Sequence, residues 1–275
     1  MNFYITGDKH GQFQSILESE VTKDSNNAII ILGDAGINYY LNKQDDKLKQ
    51  QISENSSCQW YVVRGNHEAR PQDISVPYEK KWDVDVGGYV YVEDKYPTIK
   101  FFLDFGEYTI NGHKVAVIGG AYSVDKWWRL QRAGVFTSID WGYNNPKKTG
   151  WFPNEQLSTE EMREAEDLFT NKTYDFVFSH TCPIGWQPTD LFLSAVNQNE
   201  VDSTMEKWME ELKDKMFWGI WLWAHYHTDR LERPHCEIFY HDIESLDDIF
   251  NRWKNYDETK ELPWYLTKSP NFYMI

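Results

Sequence analysis

Asp8 and His10 stand two residues apart between Gly7 and Gly11, directly after the apolar residues 3–6. In an extended segment positions i and i+2 project to one side, so this carboxylate and imidazole can grip a single ion. The same D-x-H also reads as a turn with an Asx-type hydrogen bond and a surface histidine. The chain then repeats the arrangement. The Ile-rich run 28–32 ends in Gly33-Asp34, and the run 60–63 leads through Gly65 to Asn66-His67-Glu68. Each time an apolar stretch stops at glycine and a polar, chelating side chain follows. One such turn is commonplace; the recurrence is what an α/β protein shows when it keeps its chemistry at strand ends.

The elements that must position these side chains can be read around them. Residues 3–6, 28–32 and 60–63 are short apolar strands, the second of the kind buried on both faces. Residues 12–21 read as an amphipathic helix and 41–54 as a polar one. Parallel strands joined by crossover helices bring their carboxyl ends to one edge of a sheet, where Asp8, His10, Asp34, Asn66 and His67 would converge. Residues 70–96, with Pro71, Pro77 and Gly87-Gly88, read as an irregular excursion over the sheet edge. Strands are expected at 99–104, 108–110 and 114–118, the last two joined by the hairpin signal Asn111-Gly112. His113 reads as a turn-flanking histidine.

Gly119-Gly120 opens a Trp-rich insertion at about 121–157. Its mixed cations and aromatics suggest either a wall of a substrate site, with Asp125, Lys126 and Arg129 as contacts, or a locally packed surface loop. A helix at 159–170 carries a capping box, Ser158 with Glu161. The strand 174–178 runs into His180, with Cys182 read as a core thiol. Helices are expected at 189–195 and 203–215, with a lid or an oligomer contact between them. The most apolar run, 217–223, leads into Ala224-His225-Tyr226-His227, a second pair of chelating side chains at i and i+2. A strand at 236–240 and an amphipathic helix at 246–253 follow, with His235 and His241 structural. Residues 257–275 form a polar and aromatic tail expected to pack on a single domain spanning 1–275.

Taken together, Gly7-Asp8-Lys9-His10-Gly11, Gly33-Asp34, Gly65-Asn66-His67-Glu68, His180 and Ala224-His225-Tyr226-His227 resemble the successive motifs of the calcineurin-like metallophosphoesterases. That family's pattern runs D-x-H, G-D, G-N-H-D/E, a lone His, then G-H-x-H; only Ala224 departs, standing where Gly is usual. The resemblance covers residues 4–227. It implies an α/β fold, a four-layer α/β/β/α sandwich of two mixed sheets. It implies two divalent metal ions, with Mn first and Fe, Zn or Ni as alternatives. One would be held by Asp8, His10, Asp34 and His227, the other by Asp34, Asn66, His180 and His225, with Asp34 bridging through its two oxygens. An Asp/His/Asn donor set without Cys suits such ions better than a structural zinc. The implied reaction is hydrolysis of a phosphate ester, monoester or diester, by metal-bound hydroxide, with His67 as general acid or as a stabiliser of transition-state charge.

The departures narrow the branch. Ser/Thr phosphoprotein phosphatases carry G-D-x-V-D-R-G at the second motif, whereas this chain has Gly33-Asp34-Ala35-Gly36-Ile37-Asn38-Tyr39. The carboxylate that orients the catalytic histidine and the phosphate-gripping arginine are both missing there, so any partner for His67 comes from elsewhere. Gly119 to Asp125 and His180 to Pro183 resemble a branch found in bacteria and their phages. A phosphoprotein phosphatase or nucleotide hydrolase of the same superfamily remains the alternative. From another class, the alternative is a catalytically silent scaffold that binds a protein partner. A mononuclear zinc hydrolase lacks its H-E-x-x-H.

Composition sets the outer bounds. A net charge of −15 over 275 residues argues against general nucleic-acid binding and against an anionic membrane surface. A phosphate-bearing substrate stays compatible, because bound cations invert the local charge. Cys58, Cys182 and Cys236 make no C-x-x-C and suggest a reducing compartment. No basic signal-peptide start and no membrane-length apolar run are present, so a cytoplasmic protein is expected. The oligomeric state is left open.

Overall fold

A computed structural model describes residues 1–257. The chain opens with β1 (Asn2–Thr6), α1 (Gln14–Leu17), β2 (Asn27–Ile31), α2 (Lys43–Asn55) and β3 (Gln59–Val62). It continues through β4 (Tyr78–Asp83), β5 (Gly88–Glu93), β6 (Ile99–Phe102), β7 (Phe105–Ile110) and β8 (His113–Ile118). Helices α3 (Lys126–Arg132), α4 (Pro146–Thr149) and α5 (Thr159–Phe169) precede β9 (Thr173–Ser179), and α6 (Thr204–Leu212) precedes β10 (Phe217–Trp223). The described chain closes with β11 (Arg230–Arg233), β12 (Cys236–Ile238), β13 (Glu244–Ser245) and α7 (Leu246–Lys254).

The strands form two mixed sheets. One has seven strands in the order β13-β1-β2-β3-β6-β5-β4, the other six in the order β11-β12-β10-β9-β8-β7. In the first, β1, β2, β3 and β6 pair in parallel. In the second, β8, β9, β10 and β12 do. Alternation along the strands builds the layers. Ala28 and Ile30 of β2, Val115 and Val117 of β8, and Ile220 and Leu222 of β10 meet in the core between the sheets. The intervening Ile29 and Ile31 turn to the other side and pack with Ile16, Leu17 and Ile52 of α1 and α2. On the second sheet Trp221 and Trp223 pack outward against Met162, Ala165 and Phe169 of α5 and Met205 and Met209 of α6. The result is the expected four-layer α/β/β/α sandwich.

Several elements differ from the sequence reading. The helix expected over 12–21 is broken: α1 is one turn long, and Ser19 accepts a hydrogen bond from the Val21 N–H to start a separate 3₁₀ turn at Glu20–Lys23. Such local side-chain bonds compete with a continuing helix. Residues 70–96 are not an irregular excursion, since β4 and β5 lie within them and extend the first sheet as a hairpin. β4 eludes period-2 reading because it is an edge strand with exposed Glu79, Lys80 and Lys81, a usual protection against edge pairing. Residues 189–195 contain a single 3₁₀ turn, Thr189–Leu191, rather than a helix. The capping box of α5 is present in full. Of the tail expected at 257–275, residues 258–275 lie outside the described residues. Among the described residues no helix is long and apolar enough to cross a membrane.

Candidate metal centre

The loops that leave β1, β2 and β3 and those that leave β9 and β10 meet at one end of the sandwich. Asp8 and His10 come from the first, Asp34 from the second, Asn66 and His67 from the third, His180 from the fourth, and His225 and His227 from the fifth. Backbone bonds tie the first two loops together: the Lys9 and His10 N–H groups both donate to the Asp34 carbonyl, at 3.0 and 2.7 Å. Glu68 ties the second to the third, its Oε1 accepting from Gly36 N at 2.8 Å and its Oε2 from Gly65 N at 3.2 Å.

Two glycines let the loops approach this closely. A Cβ on Gly33 would lie 2.1 Å from His180 Nδ1, and one on Gly65 would lie 2.0 Å from Asp34 Oδ1. The ligand candidates themselves carry backbone strain. His10, Asp34, His225 and His227 have φ of 45°, 47°, 68° and 50°. Non-glycine residues in this region cost on the order of 1–3 kcal/mol each and persist where the surroundings over-determine them. Ala224 is not among the positive-φ residues, which is why alanine stands in the usual glycine position without penalty.

Asp34 sits at the middle. Its Oδ2 lies 3.6 Å from His180 Nε2, 3.9 Å from His67 Nε2 and 4.0 Å from His10 Nε2. Its Oδ1 instead accepts the His67 backbone N–H at 2.8 Å. One oxygen, Oδ2, thus faces the imidazoles, and the other takes the backbone N–H while keeping a second lone pair. Around it His10 Nε2 and His227 Nε2 are 3.0 Å apart, and the His180 and His225 ring centres 5.0 Å. Asp8 Oδ2 accepts the His225 N–H at 3.0 Å, while the buried Asp8 Oδ1 has no hydrogen-bond partner.

The protonation pattern is that of a chelator. Burial holds His10, His225 and His227 below the ordinary imidazole value, so they are neutral and offer lone pairs. Burial alone would raise Asp34, but the charge of His180 and its hydrogen bond to Asp34 outweigh it and hold it well below the carboxylate range. Burial pushes Asp8 up to about 6. Burial would lower His180, yet Asp34 and Asp8 outweigh it and raise it to about 9. His180 Nδ1 donates to the Leu32 carbonyl at 2.8 Å, which turns Nε2 toward Asn66 Oδ1 at 2.9 Å and toward Asp34 Oδ2. Two acceptor oxygens aimed at one imidazole nitrogen require a positive charge among them, either a proton or a cation. Among the described residues, Asp8 with His10 and His227, and Asp8 with Asp34 and His180, are the two sets of His, Cys, Asp and Glu whose donor atoms lie within 4.8 Å of one another. The orphaned Asp8 oxygen and this facing of acceptors fit a site for divalent cations.

His67 stands beside this set without joining it. Burial pushes it down to about 4, opposed by Asp34 and Asp125, and its Nδ1 is buried with no hydrogen-bond partner. Arg129 and Asp125 both act on it electrostatically. Arg129 Nε donates to Asp125 Oδ2 at 2.6 Å, and its Nη1 donates to Tyr39 and to the Gly150 carbonyl. The Tyr39 ring packs edge-on 6.2 Å from His67. Of the three insertion residues singled out in the sequence, Asp125 and Arg129 thus lie at the centre's edge. Lys126 places its ammonium over the rings of Trp151, Trp127, Tyr143 and Tyr122. The sequence reading missed Tyr39, Glu68, Ser123 and Glu155. Asn66 Nδ2 donates to Ser123 Oγ at 2.9 Å, and Ser123 in turn contacts the buried Glu155. Gly-Gly at 119–120 is the one signal that the chain approaches the site there.

A two-sheet sandwich whose parallel strands converge on buried carboxylates and imidazoles defines a metal-dependent hydrolase. The sequence model of the calcineurin-like phosphoesterases matches residues 1–229, and the chain belongs to that family. It is accordingly a metal-dependent phosphoesterase. Among solved structures it is similar to a phosphopantetheinyl hydrolase (PptH) from Mycobacterium tuberculosis. The identity is 11% and the TM-score 0.44, with 93% of each chain covered. No curated protein sequence matches it.

Proposed function

We propose that the protein hydrolyses a phosphate mono- or diester with two divalent cations, Mn foremost, held by Asp8, His10, Asp34, Asn66, His180, His225 and His227. The observation that carries this reading is Asp34 Oδ2 facing three imidazoles within 4.0 Å, beside a buried Asp8 oxygen that accepts no hydrogen bond. Bound cations would supply an acidified water as nucleophile and neutralise the phosphoryl oxygens. His67 provides the hydrogen bond to the leaving oxygen; a neutral imidazole still carries one N–H for that purpose. Arg129, fixed in direction by Asp125, Tyr39 and Gly150, takes a phosphoryl oxygen and replaces the arginine missing from the second motif. The complete donor set weighs against a silent scaffold. We place the protein in the cytoplasm and read residues 1–275 as one domain, with 121–157 as an insertion that walls the site.

Asp34→Asn and His225→Ala test the reading. Each should abolish hydrolysis of an aryl phosphate and lower the metal content of the purified protein. Unchanged activity and metal content in both variants would sink it.

A further inference from the structure

The Trp-rich insertion reaches the centre by a hydrogen-bond chain whose direction can be worked out atom by atom. Glu155 Oε1 accepts the Ser123 backbone N–H at 3.1 Å, and Oε2 accepts the Ser123 hydroxyl at 2.5 Å. A serine hydroxyl has one hydrogen, and here it is spent on the carboxylate. Ser123 Oγ therefore shows Asn66 only lone pairs, and Asn66 must donate through Nδ2, as it does at 2.9 Å. Its Oδ1 is then left pointing to the opposite side, 2.9 Å from His180 Nε2. Ser123, Glu155 and Asn66 are each at most 3% exposed, so no bulk water competes for these bonds. The backbone is braced as well. Arg64 Nη1 donates to the Glu155 carbonyl at 2.8 Å, and Gly120 N–H donates to the Arg64 carbonyl at 2.7 Å.

We propose that Ser123 and Glu155 are positioning residues that lock the Asn66 carboxamide with its oxygen toward the metal centre. The proposal rests on the reading of Asn66 as a metal ligand. A carboxamide left free to rotate presents NH₂ to the cation half the time or worse, and NH₂ does not ligate. The lock makes Asn66 a ligand of fixed polarity, and a carboxylate at 66 would not need it. Burial pushes Glu155 up to about 7, with Ser123 and Lys126 opposing, so it is tested well above neutrality.

The test is calorimetric titration of metal-stripped protein with MnCl₂, with bound Mn counted by mass spectrometry after dialysis. Ser123→Ala removes the acceptor of Nδ2. Glu155→Gln keeps the shape but can accept only one of the two Ser123 bonds. Each should weaken one of the two Mn ions by about 10–100-fold, the usual range for partners behind a ligand, and leave the other at wild-type affinity. In an Asn66→Asp background, adding Ser123→Ala should cost nothing further, because either carboxylate oxygen ligates. Wild-type affinity for both ions in both single variants overturns the lock while leaving the dinuclear reading intact. Equal loss at both ions, or an undiminished Ser123→Ala effect in the Asn66→Asp background, overturns it as general loosening. Wild-type protein that takes up no Mn overturns the dinuclear reading and the lock with it.

Discussion

Replacing Gly33 by alanine adds one methyl group where a loop of the first sheet packs closely on a loop of the second. The added Cβ would lie 2.1, 2.5 and 2.9 Å from Nδ1, Cγ and Cε1 of His180. None of these atoms can give way easily, because the ring is fully buried and its Nδ1 is bonded to the Leu32 carbonyl at 2.8 Å. Overpacking of this kind costs roughly 1–3 kcal/mol. The φ of +102° adds a backbone cost of about 1–3 kcal/mol. The more restricted unfolded chain returns roughly 0.4–1 kcal/mol. The net expectation is a loss of about 1–6 kcal/mol, with His180 displaced. Gly112 is the control: its φ is +81°, and nothing lies within 4 Å of its Cβ, so alanine there carries the backbone cost alone. Urea unfolding of the two variants in chelator gives the difference due to crowding, and metal content of untreated protein reports the displacement of His180. If Gly33→Ala lost no more stability than Gly112→Ala and kept a full metal complement, the close packing of Gly33 on His180 would be refuted.

His67→Ala should retain its metals and lose about 10²–10⁴ in rate on an aryl phosphate; metal loss instead would make His67 a ligand. Arg129→Ala should lower kcat/KM by roughly 10–150-fold, the value of a charged hydrogen bond of about 1.5–3 kcal/mol, with metal content unchanged. EDTA should inactivate the enzyme and Mn restore it, followed by hydrolysis rate. Glu206 gives a pH signature in stability. Burial raises it from 4.5 to about 7, and its Oε2 has no hydrogen-bond partner. Its folded pKa exceeds its unfolded one, so wild-type stability is highest below about pH 4.5 for this group and falls as pH rises toward 7. Glu206→Gln removes that loss. The variant should gain roughly 3 kcal/mol on wild type between about pH 4.5 and pH 8, at ~1.36 kcal/mol per pKa unit. A pH-independent difference in urea midpoints would refute the assignment.

What could be read from the sequence was what local pattern encodes. The strands β2 and β10 announce themselves as unbroken apolar runs, and the side chains of Asp34 and His225 follow at once. β4 is hidden because an edge strand's exposed charges erase the alternation that marks a half-buried strand. The broken helix after β1 turns on one serine hydroxyl. Ser123 and Glu155 are illegible for a different reason. Ser123 lies 57 residues from Asn66 and Glu155 lies 32 beyond Ser123, and their roles exist only once the insertion docks on Arg64. Lys126 shows the converse: a cation beside a candidate site, in sequence, that the fold commits to aromatic rings.

The location of the strain connects the fold to the chemistry. His10 and Asp34 belong to loops of the first sheet, His225 and His227 to a loop of the second, and all four sit at positive φ. Their backbones are held by bonds within the cluster: His10 N–H on the Asp34 carbonyl, and His225 N–H on the Asp8 carboxylate from the opposite sheet. A cation shared by these residues would therefore bridge the two sheets as well as serve the reaction. Metal binding should then be worth stability as RT ln(1 + [L]/Kd), largest for the loops that close this end of the sandwich. Hydrogen exchange with and without Mn is the measurement. Added Mn should slow exchange most in the loops after β1, β2 and β10, and least at β4 on the far edge. Protection spread evenly across both sheets would show that the centre is not what clamps them together.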